Sequence, residues 1–401
     1  MILNYLNRQI EEIQHSRVLR IYGFFLVVVH FLTFYFWNHN VAFDFYMNNA
    51  PSPLCWSFME DCSFWRFPNR TAAMVSLWAY LGLAIAIFIL MLKGRVRLAY
   101  FGLIALFLVK YGFLLIDYRL MGNYHYMPFI IGIVYLFFPR KEIFIKVLIV
   151  TFYCAAGLLK LRNLEWMTGG AIYDVGTWPS WLVVIACSAV IYLEVGLSWF
   201  LLGRRSWMAW TVFGFFILFH ASSWYWVGYY YPTTMSCLLP IFPLSWIWGE
   251  ASSKAEVKNQ DTHWALVTVV LLFWAAQFYP LLLSKDAAVT GEGRVLSLNM
   301  YDARVECDHI MIAEYKDRYE EFASGLQPSA MRIRCEPYLY FSRAKAACES
   351  LKDQPDFKNV RLSLMVRRQT DAEFKEIVNI KDFCTGNYQF NSFGRNEWIQ
   401  W

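Results

Sequence analysis

Charge is scarce in this chain. Of its 401 residues only 17% are Asp, Glu, Lys or Arg, against 58% hydrophobic and 19% aromatic. The apolar residues fall in blocks of about 20 separated by short polar segments, which excludes an ordinary soluble domain and describes a multi-span membrane protein. Internal repeats and low-complexity tracts are missing, as are a Gly-rich phosphate loop and metal-ligand spacings of the HExxH or CxxC type. Their absence removes P-loop phosphoryl chemistry and the common zinc sites from consideration. The first apolar block follows a charged stretch (Arg8, Glu11, Glu12, Arg17, Arg20) and lacks a small-residue cleavage site, so it reads as a retained helix. The formal net charge of +5 does not call for nucleic acid, because Lys and Arg gather in short loops between apolar blocks.

The blocks predict nine spans, at roughly 20–37, 72–92, 98–117, 124–138, 143–161, 179–202, 207–227, 231–248 and 264–284. The basic loops at Lys93–Arg97, Arg140–Lys141, Arg204–Arg205 and Lys254/Lys258 alternate with loops poor in lysine, which puts the N-terminus in the cytoplasm and the C-terminus outside, in a periplasm or lumen. Cys55 and Cys62 then lie in the first outside loop, and Cys307, Cys335, Cys348 and Cys384 in the outside tail, where disulfides are favoured. The four tail cysteines allow three pairings. Cys154, Cys187 and Cys237 fall within spans. The reading is an all-α polytopic membrane domain over 1–284 and a small extracytoplasmic α+β domain over 285–401. Strands are expected at 294–300 and 360–366, and helical spacing starts at Phe341.

Polar groups inside the spans are few. Lys160 stands out, two residues from the outer end of the fifth span in Tyr153-Cys154-Ala155-Ala156-Gly157-Leu158-Leu159-Lys160-Leu161. An intramembrane lysine is a functional candidate by default; set against that is a side chain snorkelling to the interface. If Lys160 is buried, desolvation works against its ammonium form and leaves a neutral base. His125 lies at the outer mouth of the fourth span, His220 within the seventh, and Asp117 at the outer end of the third, where it either orients another group or pairs with Arg119. All four project toward the outer half of the membrane, so one shared pocket is the expectation. Glu194 and Lys110 are expected in interhelical charge pairs, His30 as a hydrogen-bonded packing histidine, and Lys146 as a snorkelling side chain. The sequon Asn69-Arg70-Thr71 sits in an outside loop.

Together these residues resemble a known family. Ala156-Gly157-Leu158-Leu159-Lys160-Leu161 followed by Trp166 and Gly169 is similar to the lysine motif of vitamin K-dependent gamma-carboxylases and of the wider horizontally transferred transmembrane (HTTM) domain group. Asp117 through Asn123 to His125 resembles the family's aspartate and Asn-x-His motif, with one extra residue. Phe219-His220, then Gly228 and Pro240-Ile241-Phe242, resembles its later histidine span, and Gly291 to Met300 the segment beyond the membrane domain. The resemblance implies a quinol-dependent peptidyl-glutamate carboxylase. A reduced vitamin K-type quinone is oxidised to its epoxide while O2 and CO2 are consumed and an exported peptide or protein is carboxylated. It implies Lys160 as the base toward the quinol, His125 and His220 as stabilisers of oxyanions, Asp117 as an orienting group, and Asn123, Tyr153 and Trp166 at the quinone. No metal or nucleic acid is implied. The alternatives are a non-catalytic HTTM protein that binds or matures an exported peptide, and a transporter, for which no inverted repeat is present.

Overall fold

The computed structural model describes residues 2–41, 46, 54–59, 62–120, 122–162, 166, 178–203, 206–249, 260–284, 286–293, 295–298, 305–324, 335–368 and 371–400. Of the sequence features above, Arg204, Arg205, Lys254, Lys258, Gly169, Arg294, Asn299 and Met300 lie outside them. The chain divides into two compact units, one formed by 1–49, 66–114 and 121–273, the other by 50–65, 115–120 and 274–401.

The first unit is helical. Its elements are α1 (Ile2–His15), α2 (Arg17–Asn40), α3 (Arg70–Leu92), α4 (Val96–Ile116), α5 (Asn123–Phe137), α6 (Lys141–Arg162), α7 (Ser180–Val195), α8 (Trp207–Val227), α9 (Tyr230–Leu238), α10 (Ile241–Trp248) and most of α11 (Gln260–Phe278). Short polar residues set the starts. Ser16, Asn69 and Ser206 each turn a side-chain oxygen onto a backbone amide two or three residues into the helix, at Leu19, Ala72 and Ala209. Each cap satisfies a donor that the first turn leaves orphaned. Gly94, with φ of 68°, makes the tight turn from α3 to α4.

Among the described residues, six helices are long and apolar enough to cross a membrane: Arg17–Asn40, Arg70–Leu92, Val96–Ile116, Lys141–Arg162, the stretch Ser180–Leu202 and the stretch Trp264–Leu283. α5 is apolar but shorter, and α8 is a continuous helix of 21 residues. The span expected at 231–248 is instead two short helices, α9 and α10, joined through Leu239 and Pro240. Pro240 has no N–H to continue the α9 ladder, so the helix stops there and restarts. α6 is the most enclosed candidate span, with 67% of its apolar window buried against 17% for Trp264–Leu283. It packs chiefly on α7.

The second unit is an α+β assembly. After the four-residue helices α12 (Pro280–Leu283) and α13 (Ala287–Thr290) come β1 (Val305–Tyr315), β2 (Tyr319–Ser324), α14 (Pro337–Leu351), β3 (Phe357–Arg368) and β4 (Lys375–Ile380). The strands form one antiparallel sheet in the order β2-β1-β3-β4. Alternate residues of β1, among them Val305, Cys307, Met311 and Ala313, are buried, as a half-buried strand requires. α14 packs on β3. Disulfides join Cys55 to Cys62, Cys307 to Cys335 and Cys348 to Cys384, while Cys154, Cys187 and Cys237 are free and buried. The strand expected at 294–300 is not formed over 295–298, which make a turn held by Leu296 N–H to Gly293 O at 3.2 Å and Leu298 N–H to Gln277 Oε1 at 2.9 Å. Gly291 and Gly293, at φ of 70° and 72°, turn the chain just before it.

Candidate functional site

Tyr153, Gly157 and Lys160 recur at a helical spacing of four and three residues, which puts them on one stripe of α6. That stripe meets α7 and α8. Lys160 Nζ donates to both oxygens of Glu194 on α7, at 2.7 and 2.6 Å, with each side chain 2% exposed. The Trp166 ring lies over Lys160 Nζ at 5.1 Å, and its Nε1 donates to Cys187 O on α7 at 3.1 Å. One turn back, the Tyr153 hydroxyl is 2.7 Å from His220 Nε2 on α8, and Tyr153 packs on Phe216 with ring centroids 4.2 Å apart. His220 is close enough to Lys160 for the two to interact electrostatically. Its Nδ1 has no hydrogen-bond partner among the described residues.

Lys160 is therefore buried and bonded, neither free nor snorkelling to the interface. A carboxylate on the facing helix holds the amine, because in an apolar interior an ammonium is retained where an opposite charge and hydrogen-bond acceptors meet it. Glu194 forms the interhelical pair expected of it. Lys110 does not: among the described residues, no Asp or Glu lines the space beside it.

Lys110, on α4, instead belongs to a second buried group. It lines a cavity of about 30 Å³ together with His30, Tyr111 and Tyr135. His30 Nδ1 is 2.6 Å from the Tyr80 hydroxyl, the bonded packing role expected of it. His125 lies within electrostatic reach of Lys110. Its ring sits 5.8 Å from those of Trp37 and Tyr230, and neither ring nitrogen has a hydrogen-bond partner among the described residues. Asn123 opens α5, but its side chain lies outside the described residues. Lys146, expected to snorkel, donates to Ser245 Oγ at 2.9 Å and pairs with Glu142 at 3.3 Å, since polar partners stand within its reach.

Asp117 belongs to the second unit, where it is fully buried rather than an ordinary solvated end. It accepts from Arg119 Nε at 2.8 Å and Nη2 at 2.7 Å, and from the Leu54 amide at 3.4 Å, which realises the Arg119 pairing. The four residues expected in one pocket thus have three settings: Lys160 with His220, His125 beside Lys110, and Asp117 on Arg119. The first two are neighbours. Tyr230 and Tyr231, consecutive at the start of α9, set one ring against His125 and the other against His220. These tyrosines, Glu194 as the lysine's partner and the Lys110 cavity are the features that sequence reading missed. Glu194 and Lys110 carried a signal, as charged residues inside apolar blocks.

No family model, curated protein or solved structure matches this chain.

Proposed function

We propose that this chain is an integral membrane, quinol-dependent carboxylase-like enzyme that acts on glutamate in a peptide or protein at the outer face. The buried Lys160–Glu194 pair carries the reading. Its net charge is zero, so it is tolerated in an apolar interior, and its proton can pass from nitrogen to oxygen across a single short hydrogen bond. That transfer leaves an uncharged amine able to take a proton from a quinol hydroxyl, with Glu194 holding the first proton meanwhile. Net chemistry converts the quinol and O2 to the epoxide and water, while the glutamate γ-carbon loses a proton and forms a new bond to the carbon of CO2.

The residues present suit such a ring. Trp166 and Tyr153 offer flat aromatic faces beside a donor pair, and the exposed Leu158 and Leu161 on α6 place an apolar approach next to Lys160. Lys160 is only 1% exposed, so the pair is held away from bulk solvent. Tyr153 and His220 form the adjoining hydrogen-bonded couple that would stabilise an oxyanion, with His125 beyond Tyr230 in the same role. Dryness around the pair protects a strong base from water.

The test is incubation of the full chain in lipid nanodiscs with reduced vitamin K, O2, labelled bicarbonate and a Glu-containing peptide. Label in the peptide and epoxide in the lipid phase are expected from the wild type, and neither from Lys160→Ala that retains its helical content. Absence of both products from the wild type would favour the second reading, a non-catalytic HTTM-like protein that binds an exported peptide. That reading draws on the same observation, because a carboxylate that neutralises Lys160 also serves as a purely structural bond between α6 and α7.

A further inference from the structure

The stretch Trp264–Leu283, long and apolar enough to cross a membrane, ends at a cleft of the second unit. Its last residues, Leu281, Leu282 and Leu283, are part of the lining, and Leu282 is 82% exposed. Thr290, Glu292 and Arg395 line the same cleft, which is open to the outside and holds about 210 Å³, more than a single ion needs.

Two opposite charges thus share the cleft without closing on each other. Glu292 is buried, and its Oε1 accepts from the Asn396 amide at 2.7 Å and from Asn396 Nδ2 at 3.1 Å. Those donors and the Arg395 charge favour its ionised form against burial. Its Oε2 has no hydrogen-bond partner among the described residues, yet it is not enclosed. Arg395 is exposed and interacts with Glu292 electrostatically, but it forms no ion pair or hydrogen bond among the described residues. A guanidinium takes a phosphate through paired N–H bonds, and a carboxylate oxygen takes an ammonium. A ligand that carries both groups a few bonds apart matches both. At the end of an apolar span, where hydrocarbon gives way to headgroups, the ligand of that chemistry is an aminophospholipid. We propose that this cleft is a headgroup site for a phospholipid with a primary amine, its phosphate on Arg395, its ammonium on Glu292 Oε2 and its chains running back along Leu281 and Leu282. The site is separate from the Lys160–Glu194 pair and does not rest on the catalytic reading.

The experiment is native mass spectrometry of the full chain, stripped of lipid in detergent and titrated with phosphatidylethanolamine, phosphatidylcholine or phosphatidylglycerol. The wild type should retain one phosphatidylethanolamine in a saturable way, severalfold over phosphatidylcholine, whose methylated amine donates no N–H, and over phosphatidylglycerol, which has no amine. Arg395→Ala should lose the bound lipid, and Glu292→Gln should lower phosphatidylethanolamine to the level of phosphatidylglycerol. Equal retention of the three lipids by the wild type, or a preference that survives either substitution, overturns the site. Should a variant not fold, the order of the three lipids on the wild type decides. A ligand that binds only the folded chain also raises its unfolding temperature. Equal stabilisation by soluble phosphoethanolamine would assign the cleft to a free zwitterion and overturn the lipid.

Discussion

Gly157 lies so close to α7 that a Cβ added to it would stand 2.5 Å from Val195 Cγ2 and 3.0 Å from Glu194 Cβ. One turn later on the same stripe, Lys160 reaches Glu194. The bare backbone at 157 is what brings the two helices near enough for the ion pair to close. Gly157→Ala should therefore push α6 and α7 apart and lower stability by about 1–3 kcal/mol, the usual cost of overpacking. Val195→Ala added to Gly157→Ala should restore part of the loss, read as the unfolding midpoint in detergent. An unchanged midpoint in Gly157→Ala would mean that the helices are not held this close.

The Lys160–Glu194 pair should behave asymmetrically. Removing one member leaves the other buried and unmatched, so Lys160→Met should cost about 3–5 kcal/mol. Lys160→Met combined with Glu194→Leu replaces the pair by apolar side chains of similar volume and should recover most of it. If the pair also moves protons in catalysis, the double variant is stable yet inactive. That outcome, read by unfolding alongside product formation, separates the chemical role of the pair from its structural one.

Tyr153→Phe isolates the neighbouring couple. It keeps the ring on Phe216 but removes the hydroxyl that meets His220 Nε2, leaving the imidazole with neither nitrogen bonded. The loss should be about 1–3 kcal/mol, the penalty for a buried polar group without its partner. His220→Leu made in the Tyr153→Phe background should cost less than it does in the wild type, a difference that a double-mutant cycle of unfolding free energies measures.

Why some of this was legible in the sequence and some was not follows from the range of the interactions. The apolar runs of α2, α3, α4, α6 and α7 are local and long, so their composition reports them directly. The helix at Pro337–Leu351 and the strand Phe357–Arg368 likewise carried their own periodicity. The run at 231–248 looked the same by composition, and one proline at 240 divides it. The turn at 295–298 alternates like a strand, but its geometry follows from Gly293 and from Gln277, which lies 21 residues before the Leu298 amide it holds. The candidate site depends on still longer range. Nothing local says which of the lysines in the apolar blocks Glu194 takes; the close approach at Gly157 decides it.

The disulfides of the second unit should differ in weight. Cys348–Cys384 closes a sequence separation of 36 residues and ties α14 to the segment after β4, whereas Cys55–Cys62 closes only 7. In the chain-entropy account the first is worth about 4 kcal/mol and the second about 2. The paired serine variants at 348 and 384 should accordingly unfold at a lower temperature than those at 55 and 62. Equal losses would show that loop closure does not set the weight of these two disulfides.

Glu292 gives the second unit a pH dependence whose sign can be worked out. It is 4% exposed and accepts from the Asn396 amide at 2.7 Å and from Asn396 Nδ2 at 3.1 Å. Burial pushes its carboxyl above the ordinary glutamate value, and the Asn396 hydrogen bonds with the Arg395 charge offset this only in part. The folded chain thus keeps the proton to a higher pH than the unfolded chain does. Where the native state binds more protons, stability falls as pH rises. Its contribution is fully present below the unfolded glutamate value and is lost as pH climbs through the raised folded value. Glu292→Gln holds an uncharged acceptor toward Asn396 at every pH, so it should remove this part of the decline. The check is the unfolding midpoint of wild type and Glu292→Gln from acid to neutral pH: the two curves should meet at the acid end and separate toward neutrality with the variant above, and parallel curves would show that Glu292 does not titrate in this range.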